Sequence, residues 1–342
     1  MAEPRFLVLR LGSLGDIVHT FPAAAGLRES FPNAEITWLT HPRWSTLIKS
    51  SSLASQVWTV ESRSFTSLAG TIRRLRQAHW DAAIDYQGLW KTAALPFWGG
   101  IKRRIGFSSQ TIREFGVPLL YSDHVRCTTT HIADQNGELS LRAGARRGVS
   151  VFTLRVPSAD GTAVASYLRD RGIDRYIVLS PGGGWRSKCW PTDRFGALCL
   201  RIRQSLGLRC IVNYGPGEDD LAAAVRATSG DADPLLYNGE LGQLMALLRN
   251  GLCIVGGDTG PLHLAIALGT PAVAVFGPTD PARNGPYPRL ATSEATTGED
   301  IVLRARNAVT THRRGHAPDP SMLAIEVDSV LDAVRRRLGV RA

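Results

Sequence analysis

The stretch Leu252-Cys253-Ile254-Val255-Gly256-Gly257-Asp258-Thr259-Gly260-Pro261-Leu262-His263 decides the fold. Its first four residues are a short apolar run that reads as a buried strand. Leu264-Ala265-Ile266-Ala267-Leu268 then reads as the body of a helix stopped by Gly269, and residues 271–276 are a further apolar strand running into Gly277-Pro278-Thr279-Asp280. Strand, tight loop, helix and strand are the unit of a doubly wound sheet, which binds ligands at the carboxyl ends of its strands. Thr259 and Gly260 stand near the N-cap of the helix, so free backbone N–H groups there suit a phosphate. Asp258 repels a phosphate and suits hydroxyl groups. A sugar joined to a phosphate meets both demands.

The same alternation extends outward in both directions. Before this unit come an apolar run at 176–179, the loop Ser180-Pro181-Gly182-Gly183-Gly184-Trp185-Arg186-Ser187-Lys188-Cys189-Trp190-Pro191 and a helix at 192–206. A strand at 209–213 ends in Tyr214-Gly215-Pro216-Gly217-Glu218, followed by a helix at 219–228, a strand at 234–237 and a helix at 241–249. Near the N-terminus a strand at 6–9 runs into Arg10-Leu11-Gly12-Ser13-Leu14-Gly15-Asp16, where two glycines let the backbone turn and approach a ligand. Further strands at 35–39, 57–60, 81–85 and 104–107 alternate with helices at 65–78 and 89–95, the last carrying Lys91. A strand at 152–156 and a helix at 161–171 lead to a hinge near 172–174.

Two such series predict an α/β protein of two Rossmann-like, doubly wound domains facing across a cleft, residues 1–172 and 173–320. Residues 108–131 read as an irregular loop that orders on a partner, and 284–320 lack clear periodicity. An amphipathic helix within 321–342 is expected to pack back on the first domain.

A chain of 342 residues with 44% hydrophobic content is comfortable for two globular domains. Its apolar runs stop well short of the ~18 residues of a membrane span. Met1 to Arg10 lacks signal-peptide anatomy, so a cytoplasmic protein is expected. The five cysteines, at 127, 189, 199, 210 and 253, are scattered and read as reduced thiols, not as zinc ligands or disulfides. The net charge of +10 fits an anionic partner or, equally, arginine-rich solvated faces. The basic clusters lack the interleaved aromatics of a single-strand binder, so no nucleic-acid partner is expected.

Leu11-Gly12-Ser13-Leu14-Gly15-Asp16, Gln87-Gly88-Leu89-Trp90-Lys91, Ser187-Lys188-Cys189-Trp190-Pro191, Gly217-Glu218 and Gly257-Asp258-Thr259-Gly260-Pro261-Leu262-His263, in this order, resemble glycosyltransferase family 9. These are the bacterial heptosyltransferases of lipopolysaccharide core synthesis, and the pattern is most similar to the heptosyltransferase I type. The resemblance implies a GT-B fold, with the acceptor on the first domain and the nucleotide sugar mainly on the second. It implies an inverting, metal-independent transfer, without a cofactor, of heptose from ADP-L-glycero-D-manno-heptose to the Kdo of the lipid A inner core. By the same resemblance Asp16 is the general base, and Gly15 and Lys91 belong to the acceptor side. Lys188 contacts the donor diphosphate, Glu218 holds the ribose, and Asp258 binds the heptose hydroxyls. Thr259, Gly260 and His263 form the loop around the diphosphate. Gly183 and Gly184 stand where family members often carry hydroxyl residues, leaving only backbone N–H groups to meet phosphate. The resemblance also implies a monomer, peripheral at the inner face of the cytoplasmic membrane where a Kdo–lipid A acceptor lies.

The chemistry is coherent with these residues. An inverting transfer needs a base on the acceptor, an in-line anomeric carbon and a stabilised leaving diphosphate. Lys188 and the helix N-terminus at Thr259 supply fixed donors for the last. Taken alone Asp16 reads as a helix cap, and with the whole set of motifs as the base; a helix N-terminus favours the ionised carboxylate, so a base there accepts its proton late. His263 and His19 fit either the cleft or a packed helix, and Trp185 and Trp190 read as packing residues. Lys102-Arg103-Arg104 fits acceptor phosphates, an anionic leaflet or a solvated turn. Asp231-Ala232-Asp233 precedes a strand, at the amino end of the sheet, and reads as a surface turn. The alternatives are a GT-B transferase using another nucleotide sugar for a different envelope glycan, and a non-catalytic protein binding an anionic ligand. A nicotinamide or flavin enzyme lacks its G-x-G-x-x-G here.

Overall fold

Apolar runs with no polar face make strands covered on both sides, and the computed structural model, which describes residues 3–112, 114–287, 300–311 and 315–340, builds two sheets from them. The chain divides into two compact units, Met1–Arg155 and Val156–Ala342.

The first unit holds β1 (Arg5–Leu9), β2 (Glu35–Thr40), β3 (Gln56–Thr59), β4 (Ala82–Asp85), β5 (Arg104–Phe107) and β6 (Asp123–Val125). They form a parallel sheet in the order β3-β2-β1-β4-β5-β6. Phe6 lies opposite Ile36 on one side and Ala82 on the other, which fixes the register of the centre. Leu7, Leu9, Leu39, Ala83 and Leu95 fill one core. The second unit holds β7 (Tyr176–Ser180), β8 (Arg209–Asn213), β9 (Leu235–Tyr237), β10 (Cys253–Gly256), β11 (Ala272–Phe276) and β12 (Ile301–Arg304). They too are parallel, in the order β12-β11-β10-β7-β8-β9. Both orders are the Rossmann order, and two such domains in one chain make the GT-B class of fold. The strand order reverses between β1 and β4 in the first sheet and between β7 and β10 in the second. Those are the positions where open α/β sheets hold ligands.

The structure corrects several expectations. The division between units falls at Arg155/Val156, ahead of the expected hinge near 172. The helix Ser158–Arg169 lies against the helix Leu241–Asn250 and so belongs to the second unit. Residues 152–156 form no strand. The last helix, Val327–Arg337, expected to pack on the first domain, has its apolar face in the second unit. Its Val330, Leu331, Ala333 and Val334 are buried in the second unit's core with Ile177, Trp190, Phe195 and Val275. Trp190 Nε1 also donates to the Ile325 carbonyl at 2.9 Å, just ahead of that helix.

The described residues of 108–131 are not all irregular. They contain a 3₁₀ turn at Val117–Leu120 and β6, which extends the sheet. In the stretch 284–320, β12 pairs with β11. Gly315 N donates to Ser187 Oγ at 3.4 Å and Asp319 N to the Ser187 carbonyl at 3.0 Å. The rest of that stretch at 288–299 and 312–314 lies outside the described residues. Among the described residues no helix is long and apolar enough to cross a membrane.

Candidate functional site

In the first unit the switch point is built by the loops after β1 and β4. Gly12 turns the first of these with φ 155°, and a Cβ there would come 2.9 Å from Trp44 Nε1. Gly15, the second glycine of the motif, is not in the loop but buried in the first turn of the short helix Leu14–Val18. Asp16 follows it. Its Oδ2 accepts from Ser13 N and Ser13 Oγ, each at 2.9 Å, and its Oδ1 faces Arg10 Nη2 at 2.7 Å. Arg10 is only 5% exposed, whereas the Asp16 side chain is 44% exposed. The N-cap is thus Ser13, and Asp16, at the third helical position, completes a capping box with it, pairs with a buried cation and still reaches solvent. Cap and base are compatible in one geometry.

The β4 loop is tied to the β1 loop. Gln87 Oε1 accepts from Leu11 N at 2.6 Å, and Arg10 donates to the Tyr86 carbonyl. The Gln87-Gly88 turn is itself held by the buried Asp85, whose Oδ1 accepts from Gln87 N at 2.9 Å and Gly88 N at 3.1 Å. Tyr121 OH donates to Asp85 Oδ2 at 2.8 Å. Burial pushes the Asp85 carboxyl up, and its hydrogen bonds oppose the rise. Lys91 is exposed on the helix Trp90–Trp98 that follows this turn. Sequence reasoning gave Arg10 and Asp85 no role. The available signal was a charged residue directly at the end of an apolar strand, at 10 and at 85.

In the second unit the loops after β7, β8 and β10 meet at the carboxyl end of the sheet. Lys188 Nζ donates to the Asp258 carbonyl and stands 3.7 Å from Asp258 Oδ2. The same ammonium lies 5.3 Å from the Trp185 ring centroid. Asp258 Oδ1 is 3.0 Å from His263 Nε2. Burial raises the Asp258 carboxyl, but the His263 hydrogen bond and the Lys188 charge outweigh it and hold the group below the usual carboxylate range. Thr259 is the N-cap of the helix Gly260–Ala267, yet its side chain makes no cap bond. Its hydroxyl is buried without a hydrogen-bond partner among the described residues. A Cβ at Gly183 would fall 2.9 Å from Cys189 Sγ and 3.5 Å from Thr259 Cγ2, so glycine keeps that approach open. Gly184 is exposed, with nothing within 4 Å of a Cβ. Glu218 Oε2 accepts from Gly215 N at 2.8 Å, and its carboxylate abuts Gly182.

The structure thus brings Lys188, Asp258, Thr259, Gly260 and His263 together, with Glu218 against the adjoining glycine loop. Asp16 and Gly15 sit together in the other unit. The arrangement of the second unit offers an ammonium, a helix N-terminus and an open glycine loop to an anion, with a carboxylate beside them. Asp231-Ala232-Asp233 lies before β9, and Asp233 pairs with Arg226 at 2.6 Å. Among the described residues no group of three or more His, Cys, Asp or Glu is placed to hold a metal ion.

Residues 69–300 match the family described as Glycosyltransferase family 9 (heptosyltransferase). The chain is 26% identical over 300 residues to lipopolysaccharide heptosyltransferase 1 of Salmonella typhimurium, covering 83% of this chain and 91% of that protein. The glycosyl transferase family 9 structure from Veillonella parvula superposes with a TM-score of 0.83 at 20% identity, over 99% of this chain and 98% of that one. The E. coli heptosyltransferase WaaC with ADP gives 0.72 at 22% identity, over 97% and 99%. These structural likenesses concern the fold, and the sequence match decides the family. The chain, with its two Rossmann sheets and a glycine-lined strand-end site, belongs to glycosyltransferase family 9, the heptosyltransferases.

Proposed function

We propose that the chain is an inverting, metal-independent glycosyltransferase that moves heptose from ADP-L-glycero-D-manno-heptose to the Kdo of a lipid A inner core. The observation that carries the reading is the Lys188–Asp258–His263 cluster beside the uncapped helix at Thr259. The family's lipopolysaccharide heptosyltransferases, and the ADP held by the E. coli relative, support an adenine sugar nucleotide.

In this reading the acceptor hydroxyl attacks the anomeric carbon of the heptose while the bond from that carbon to the diphosphate oxygen breaks. Asp16 takes the hydroxyl proton. Negative charge grows on the departing diphosphate, and Lys188 with the backbone N–H groups at 259–260 answers it. Asp258 holds heptose hydroxyls and keeps Lys188 and His263 in place. Glu218 takes the ribose hydroxyls, and the loop of Gly184 meets phosphate through its backbone. Gly15 and Lys91 serve the acceptor side. The acceptor's lipid places the reaction at the inner face of the cytoplasmic membrane, with the protein a peripheral monomer.

The test is incubation with ADP-heptose and Kdo–lipid A in EDTA, following ADP release and the mass of the lipid. One ADP per added heptose, undiminished by EDTA, is the expected result. Transfer from a uridine or guanosine sugar nucleotide but not from ADP-heptose would contradict it.

A further inference from the structure

The helix Trp90–Trp98 is apolar on both faces. Thr92, Ala93, Leu95 and Pro96 are buried against the first unit. Trp90, Phe97 and Trp98 are nevertheless 48%, 37% and 58% exposed. Positions seven and eight apart return to one side of a helix, so these rings share a face. The turn beside it adds Phe115 and Leu119, 99% and 83% exposed. Trp90 Nε1 donates to the Phe115 carbonyl at 3.2 Å, and Glu114 Oε2 accepts from Trp90 N at 2.7 Å, so the turn is fastened to the start of the helix. At the other end, Arg104 Cζ lies 5.3 Å from the Phe97 ring and its guanidinium donates to the Lys102 carbonyl at 3.0 Å. An exposed apolar group of this size on a folded unit marks an interaction surface.

The charge around it selects the partner. Residues 90–126 contain six Lys and Arg against two Asp and Glu, a balance of +4. The two acids are engaged: Glu114 in the bond just described, Asp123 with Arg103 at 3.2 Å and with Arg142. Lys91 and Lys102 are exposed and form no ion pair among the described residues. A second copy meeting the same face would set these cations against themselves. An anionic bilayer attracts them, and tryptophan rings favour its headgroup region. The helix, nine residues long, reaches only about 13 Å and suits lying in the interface, not crossing it.

We infer that this face docks the first unit on an anionic lipid bilayer, with Trp90, Trp98, Phe115 and Leu119 entering the headgroup region and Lys91 and Lys102 meeting lipid phosphates. The helix begins directly after the Gln87-Gly88 turn, whose glutamine is bonded to the loop leading to Asp16. The helix then runs back to the start of β5, so the face extends along the unit, with Trp90 and Phe115 toward the carboxyl ends of the strands and Trp98 and Lys102 toward the amino ends. This inference rests on the membrane location proposed above and names the surface that serves it; its test uses neither sugar nucleotide nor lipid A, so failure of the surface and failure of the transfer reaction are read separately.

The experiment is flotation of the full chain with vesicles of phosphatidylglycerol and phosphatidylcholine, and with phosphatidylcholine alone. Trp98→Ser combined with Phe115→Ser is compared with wild type and with Lys102→Glu. Expected are salt-sensitive binding of wild type to the anionic vesicles and a blue shift of its tryptophan emission. The double variant should lose roughly tenfold or more in binding, and Lys102→Glu roughly fivefold. Far-UV circular dichroism and ADP affinity should be unchanged, because these side chains are exposed. The inference is overturned if wild type ignores anionic vesicles, binds uncharged ones equally, or is matched by the double variant. It is overturned too if sedimentation shows a wild-type dimer that the double variant dissolves, since a second copy then covers the face.

Discussion

Asp16 accepts from Ser13 and pairs with the buried Arg10, while its side chain stays 44% exposed. Asparagine at this position keeps an oxygen for the Ser13 N–H but cannot take a proton. Asp16→Asn should therefore keep ADP affinity and lower turnover about a hundredfold to ten-thousandfold, the range for a lost general base. Turnover near wild type would reduce Asp16 to a cap. Asp258 makes a different statement. Its carboxyl is held below the ordinary value, so its contribution to stability is present above about pH 4 and is lost as pH falls through the folded-state value. Asp258→Ala should cost about 3 kcal/mol at neutral pH, as for a broken buried pair. Denaturant titrations of the two proteins should converge on acidification; a gap constant with pH would show that the charge plays no part. Asp258, Lys188 and Thr259 were legible because a strand–loop–helix pattern alone puts them at a strand's carboxyl end. Arg10 was not, because its partner comes from a helix whose cap and ion pair share one carboxylate.

The β4 turn is the element that braces the loop after β1. Asp85 accepts two backbone N–H groups and the Tyr121 hydroxyl, and burial pushes its carboxyl up. A raised carboxyl contributes stability that is present below about pH 4 and is lost as pH rises through the folded value. Asp85→Asn keeps an acceptor for the turn and removes the buried charge, so it should equal or exceed wild type in stability at neutral pH. Asp85→Ala strands the turn's donors and should cost about 2 kcal/mol or more. Thermal melts of the two variants decide the matter; equal losses would deny the turn its dependence on that oxygen. None of this was visible in the sequence, because Tyr121 lies in a stretch with no periodicity and reaches Asp85 only once β5 and β6 are paired. Ten of the twelve described strands were legible as short apolar runs; β6 and β12 were not, because Asp123-His124-Val125 is not an apolar run and Ile301–Arg304 lies in a stretch without periodicity.

At the scale of the molecule, two Rossmann sheets repeat one strand order, and each offers a switch point. Local sequence pattern does not decide the joins between elements. Amphipathicity shows that the last helix must bury a face but not which one, and the second unit's sheet is where Val330, Leu331 and Val334 go. Three such side chains stabilise by about 6 kcal/mol together, comparable with the whole stability of a domain. Removing residues 326–342 should therefore unfold the second unit and abolish ADP binding. Wild-type affinity in that truncation would mean the helix is dispensable. The most direct measurement is calorimetric titration of wild type and Lys188→Ala with ADP, UDP and GDP in EDTA. Selective binding of ADP without metal, weakened roughly tenfold or more by the loss of Lys188, is the expected result. Binding of UDP or GDP as tight as ADP, or an ADP affinity unchanged in Lys188→Ala, would contradict a metal-free ADP-sugar site at the switch point of the second sheet.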